Sequence, residues 1–259
     1  MLCFVCHHSF QVQFLLMNSI TVLGDTTSPA WDLSISNPTL LTDLKTLVKD
    51  AEDTPYSFYP FPKPLFAALI RINHLRARIS HSHSHSHSQA GPEHEHEALR
   101  TEAEHLLADI QSFNPSSKGK LTLLWKTFQA AVSLYLISSL PLSLFPPSPS
   151  LETLHTTTRS LLYNLLNEAL SNPRAGLSRP LTWPLIVLGV DGGVESAEIR
   201  AFVREYLQLV SRQQGSYVPL SAKKTLEEYW GGERKGWDCC FLRPVGVAMQ
   251  WTVERGGLR

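Results

Sequence analysis

Thr182-Trp183-Pro184-Leu185-Ile186-Val187-Leu188-Gly189 is the stretch that most narrows the choice of fold. An indole and a proline stand directly ahead of four bulky apolar residues, with nothing polar among them to turn toward water. That pattern predicts a short helix buried on every side rather than one lying on the surface. Pro184 falls where a helical amide has no partner in any case, and Thr182 is placed to cap the first turn. Gly189 either ends the helix in a left-handed conformation or admits a close neighbour. Nothing in the stretch is chemically reactive, so it predicts a core and not a site.

A helix buried all round needs other helices to cover it, and the chain supplies them as apolar stripes recurring every three to four positions. Residues 121–144 carry bulky side chains at 121, 124, 125, 128, 132, 135 and 136, a one-sided helical stripe in a deeply packed helix. Asn37-Pro38 opens a helix with Leu40, Leu41, Leu44, Leu47 and Val48 on one face. The span 65–79 follows, with Arg71, Arg76 and Arg78 on its other face. Further stripes run through Leu99, Leu106, Leu107 and Ile110, and through 150–170, where Leu151, Leu154, Leu161, Leu162, Leu165 and Leu166 point inward. Another covers 196–212, and the last is capped by Ser221 and carries Leu226, Tyr229 and Trp230. Trp237 to Trp251 is expected to dock on the bundle, and Trp31 to anchor the turn-rich stretch that begins at Gly24. No pair of strands is visible, so the class is all-α, an irregular multi-helix bundle.

Two segments stand apart. Residues 1–23 form an apolar amino-terminal segment without the basic leading residues of a signal peptide. Residues 24–259 form the helical domain, interrupted at about 80–98 by a histidine- and serine-rich insertion that has nothing to bury and is expected to be disordered. Lysine plus arginine (23) equal aspartate plus glutamate (23), so no overall field draws the chain to nucleic acid or an anionic membrane. The apolar run from 121 carries Lys126, Gln129 and several serines, which argues against a membrane span. Four cysteines, Cys3, Cys6, Cys239 and Cys240, are too sparse for a disulfide framework and fit a reducing compartment.

The candidates for chemistry are few. Cys3 and Cys6, with His7 and His8 beside them, have the spacing of half a zinc site, but the next histidine is His74. His81, His83, His85 and His87 alternate with serine and can chelate metals as any such tract does; low-complexity linker is the preferred reading. His94-Glu95-His96-Glu97 lacks the second spaced histidine of a metalloprotease helix. Gly189-Val190-Asp191-Gly192-Gly193 and Gly231-Gly232 are read as turns, and no nucleophile elbow is present. Arg71, Arg76 and Arg78 with His74 make a solvated basic face. Trp31, Trp125, Trp183, Trp230, Trp237 and Trp251 serve as core more readily than as the lining of a ligand pocket. The expectation is no catalytic, cofactor-binding, metal or DNA-binding residue, hence no enzyme and no cofactor.

With the helices placed, the carboxy-terminal half resembles the regulatory domain of fungal-specific transcription factors of the zinc binuclear cluster class. The resemblance is carried by Trp183 to Gly189, then Glu198-Ile199-Arg200, then Leu226-Glu227-Glu228-Tyr229-Trp230, then Gly236-Trp237-Asp238. Upstream, Gly24-Asp25-Thr26-Thr27-Ser28-Pro29 and Pro64-Leu65-Phe66-Ala67-Ala68-Leu69-Ile70-Arg71-Ile72-Asn73 are similar to it as well. In that class a six-cysteine cluster near the amino terminus reads DNA, whereas here Cys6 is followed by no cysteine until Cys239. The resemblance therefore implies a nuclear regulatory part that does not read nucleic acid by itself, a fragment or a relative without the reader. It implies other transcription regulatory proteins as partners, a second copy of the chain among them, and no membrane. The alternative it leaves is a small-molecule (lipid or metabolite) sensing helical domain.

Overall fold

The computed structural model describes residues 22–33, 61–84, 92–115, 120–145, 149–171 and 179–242. Among them are the helices α1 (Lys63–Ser84), α2 (Pro92–Ser112), α3 (Lys120–Ser139), α4 (Pro149–Ser171), α5 (Thr182–Gly192), α6 (Ala197–Gln214), α7 (Val218–Gly231) and α8 (Trp237–Cys240), and residues 22–26 are helical as well. No strand occurs among the described residues, as the all-α reading requires.

The helices start and stop where backbone chemistry dictates. Prolines stand at or next to the first residue of α1, α2, α4 and α7, where a missing amide hydrogen costs nothing. The Ser196 side chain caps α6 by accepting from the Ile199 amide at 3.2 Å, and Gly215 closes the same helix with φ of 62°. Ser221 is not a cap: Pro219 allows α7 to begin earlier, at Val218, so Ser221 lies inside it. Thr182 is not a cap either, because a single 3-10 turn, Arg179–Leu181, leads straight into α5.

α5 and α3 form the axis of the bundle. Every α5 residue from Thr182 to Val190 is buried, as its composition demands. Gly189 takes the second of its two options, close approach within a continuing helix: a methyl group there would lie 2.8 Å from Leu226 Cδ1 and 3.2 Å from Val203 Cγ1. The Trp230 indole donates to the Gly189 carbonyl at 2.8 Å. The apolar phase of α5 runs on through Val190, so Asp191 and Gly192 are helical rather than a loop. α3 is one-sided only at its start, where Leu121 is exposed; Ala130 to Ile137 are all buried because α1, α2, α4 and α5 pack around them. Each large apolar side chain enclosed in this way contributes roughly 1.5–3 kcal/mol.

Other expectations fail at edges. Leu161 lies at the rim of α4's buried face and is exposed, while Leu162, Leu165 and Leu166 are inside. Trp31 is 65% exposed, so it is not a buried anchor. At the flanks of the histidine-serine insertion the chain is helical, α1 running on to Ser84 and α2 starting at Pro92. His81 Nδ1 meets the Ala77 carbonyl at 2.8 Å and Ser82 donates to the Ile79 carbonyl at 3.0 Å, local bonds that suit a helical backbone. His85 and His87 lie outside the described residues, as do Cys3, Cys6, His7, His8, the helix expected after Asn37, the segment boundary near residue 23 on its upstream side, and Trp251. Among the described helices none is long and apolar enough to cross a membrane.

Candidate functional site

Arg76 is the least expected feature of the interior. It lies one turn beyond Ile72 on α1, and its side chain is 1% exposed. The solvated basic face expected of Arg71, Arg76 and Arg78 therefore does not exist. Arg71 pairs with Asp109 at 3.1 Å and Arg78 with Glu102 at 2.8 Å, both carboxylates of α2. Arg76 instead turns inward to a set of oxygens drawn from across the chain.

Its Nη1 donates to the Tyr135 hydroxyl at 2.8 Å and to the Asp25 carbonyl at 3.3 Å. Its Nη2 donates to the Ser28 carbonyl at 3.0 Å and to Asp238 Oδ1 at 2.5 Å. The Tyr135 hydroxyl donates to Asn73 Oδ1 at 2.5 Å, and Asn73 Nδ2 donates to the Val22 carbonyl at 2.9 Å. Trp183 Nε1 donates to Thr26 Oγ1 at 2.8 Å, and Trp237 Nε1 to the Thr26 carbonyl at 2.7 Å. Asp238 Oδ1 also accepts from the Ala30 amide at 3.2 Å. Only Arg76 Nε lacks a partner in this node among the described residues.

The electrostatics follow from enclosure. Burial works against the guanidinium charge, but the Tyr135 oxygen and the Asp238 carboxylate beside it outweigh that, leaving the Arg76 pKa above its ordinary value. Burial likewise pushes the Tyr135 phenol up to about 12. Its proton therefore stays in place, which lets one hydroxyl accept from Arg76 and donate to Asn73 at once. Trp183 and Trp237 pack on the same ring, with centroids 6.0 and 4.7 Å from that of Tyr135.

A second cluster surrounds Asp191, whose side chain is 4% exposed. It accepts from Ser138 Oγ at 2.7 Å, His155 Nε2 at 2.5 Å and Arg159 Nε at 2.5 Å, and Arg159 also holds Glu195 at 2.7 Å. Desolvation alone would raise the Asp191 pKa; His155 and Arg159 more than offset it and hold the carboxyl below the usual range. Serine, histidine and aspartate meet here, yet not as a nucleophilic triad. The Ser138 hydroxyl donates to the carboxylate and not to the imidazole, so the serine–histidine step of a triad is not assembled.

The tryptophans divide by role. Trp183, Trp230 and Trp237 are core, Trp125 is half-buried beside Phe113, and Trp31 faces solvent. Two surface grooves are lined by none of them: one of about 500 Å³ by Arg71, Glu97, Ala98, Thr101, Glu102 and His105, the other of about 240 Å³ by residues within 64–71 of α1 together with Asp109 and Ile110 of α2.

What the node joins is informative. Gly24 to Ser28, Asn73 at the end of the Pro64 stretch, Trp183 and the Trp237-Asp238 pair are separate pieces of sequence that resemble one family, and they close on one another here. The family model described as "Fungal specific transcription factor domain" matches residues 6–253. The chain belongs to that family. That family is one of transcription factors and not of enzymes, and it implies action in the nucleus. The chain is similar to the "Phomenoic acid biosynthesis cluster-specific transcriptional regulator" of Leptosphaeria maculans (strain JN3), 31% identical over 249 residues. That match takes in 91% of this chain and 45% of the relative, so the chain spans about half the length of the curated relative it matches. No solved structure matches the fungal specific transcription factor domain described here.

Proposed function

We propose that this fungal specific transcription factor domain is a regulatory part that does not itself read DNA and acts through contacts with other regulatory proteins in the nucleus. The observation that carries the reading is the node: Thr26, Asn73, Trp183, Trp237 and Asp238, five of the residues that mark the family, are taken up in hydrogen bonds within the chain. They maintain an architecture and leave no open set of convergent polar groups at that place, so output passes through the surface. The balance of 23 basic and 23 acidic residues supports contact with protein surfaces over contact with the phosphate backbone. The relative's role as a transcriptional regulator supports an output on transcription.

The test is a reporter. The whole chain is joined to an unrelated DNA-binding module that has no activity of its own and is expressed in a fungal host. Reporter transcription is expected to change several-fold from the level set by the module alone. An unchanged reporter overturns the proposal, and activation by the chain without any module contradicts the absence of DNA reading. A saturable change in tryptophan fluorescence on titration with a lipid panel would favour the sensing alternative.

A further inference from the structure

We propose that α8 is a hinged latch that closes over Arg76 and holds the amino-terminal strap, residues 22–33, against the bundle, so that the two segments open and close as one unit. The strap and α8 are far apart in sequence, yet each depends on the other's polar groups. Asp238 of α8 is bonded both to Arg76 and to the Ala30 amide of the strap, and Trp237 of α8 is bonded to the Thr26 carbonyl. The Val22, Asp25 and Ser28 carbonyls of the strap in turn satisfy Asn73 and Arg76 of α1.

The arrangement is cooperative for a simple reason. Arg76 is enclosed, and Asp238 is the carboxylate that pairs with it. Moving α8 alone strands a buried cation, and moving the strap alone strands buried donors on Asn73, Arg76 and both indoles. Intermediate positions are therefore disfavoured relative to both ends, which is the condition for a two-state element.

The hinge is also visible. Residues 232–236 between α7 and α8 are all exposed, and two of them, Gly232 and Gly236, are glycines. Gly236 has φ of 112°, a conformation closed to residues with a Cβ, and nothing lies within 4 Å of where one would stand. Asp238, with its side chain 47% exposed, is the point at which solvent reaches the pair. The proposal rests on the regulatory reading for what the opening controls, but the opening itself is measurable without any transcriptional output.

Amide hydrogen exchange on the full 259-residue chain tests it. Asp238→Asn keeps an acceptor and removes the charge. Amides of residues 24–30 and of 237–241 are expected to speed up together, on the order of tenfold, while those of α5 change by less than about twofold. Trp237→Phe, which keeps the buried ring and removes its donor, should give the same paired pattern, and it covers the case in which the first variant fails to fold. A rise in one segment without the other, or a uniform rise through α5, overturns the latch. A silent reporter with paired exchange would sink the regulatory reading and leave the latch; an active reporter with unpaired exchange would do the reverse.

Discussion

Truncation of Trp183 to alanine is expected to cost the fold about 3–5 kcal/mol, the range for removing a large aromatic from a packed core. The indole is 4% exposed and lies with its ring centroid 6.1 Å from Phe61 and 6.0 Å from Tyr135. Truncation leaves a cavity at the start of α5 and also deprives Thr26 Oγ1 of its donor. Because whole domains are stable by only about 5–15 kcal/mol, a loss of this size shifts the urea midpoint far enough to measure with an unchanged slope. Trp31→Ala is the paired control. That indole is 65% exposed, so the same truncation should change stability by no more than about 0.5 kcal/mol.

Asp191→Ala is expected to cost about 3 kcal/mol, because it leaves Arg159 and His155 facing a buried space with no counter-charge. The value is set at the low end because Arg159 keeps Glu195, which is 68% exposed and screened by solvent. The loss should depend on pH in a definite direction. The Asp191 carboxyl titrates lower in the folded chain than in the unfolded one. Its contribution is thus complete above the unfolded value of about 3.9 and disappears as pH falls through the folded value. Denaturation midpoints of the native chain and the variant should stay apart at about pH 7 and about pH 5, then converge below about pH 4. A gap that widens in acid would contradict the placement of Asp191 between Arg159 and His155.

Much of the architecture was legible because helical periodicity is a local signal. The α5 stretch is apolar through a full turn, so a buried helix was its only economical reading, and its burial is what the structure shows. The polar node was not legible in the same way. Arg76 is in phase with Leu69, Ile72 and Ile79, a hint that it points inward, but an arginine defaults to the solvent side unless a partner is known. Its partner Asp238 is 162 residues away, and no spacing rule connects them. Asp191 was hidden by the two glycines after it, which look like a turn until His155 and Arg159 of α4 are placed against it. The family motifs marked the right positions, Thr26, Asn73, Trp183, Trp237 and Asp238, without revealing that they touch.

The most direct test of that convergence is a double-mutant cycle on Arg76 and Asp238, read by the exchange of amides 24–30. Arg76→Met and Asp238→Asn should each loosen the strap, and the double variant should be no looser than the worse single one, a coupling of at least about 1 kcal/mol. Effects that simply add, to within about 0.3 kcal/mol, would mean that the two residues act apart and that the strap is held by something other than this node.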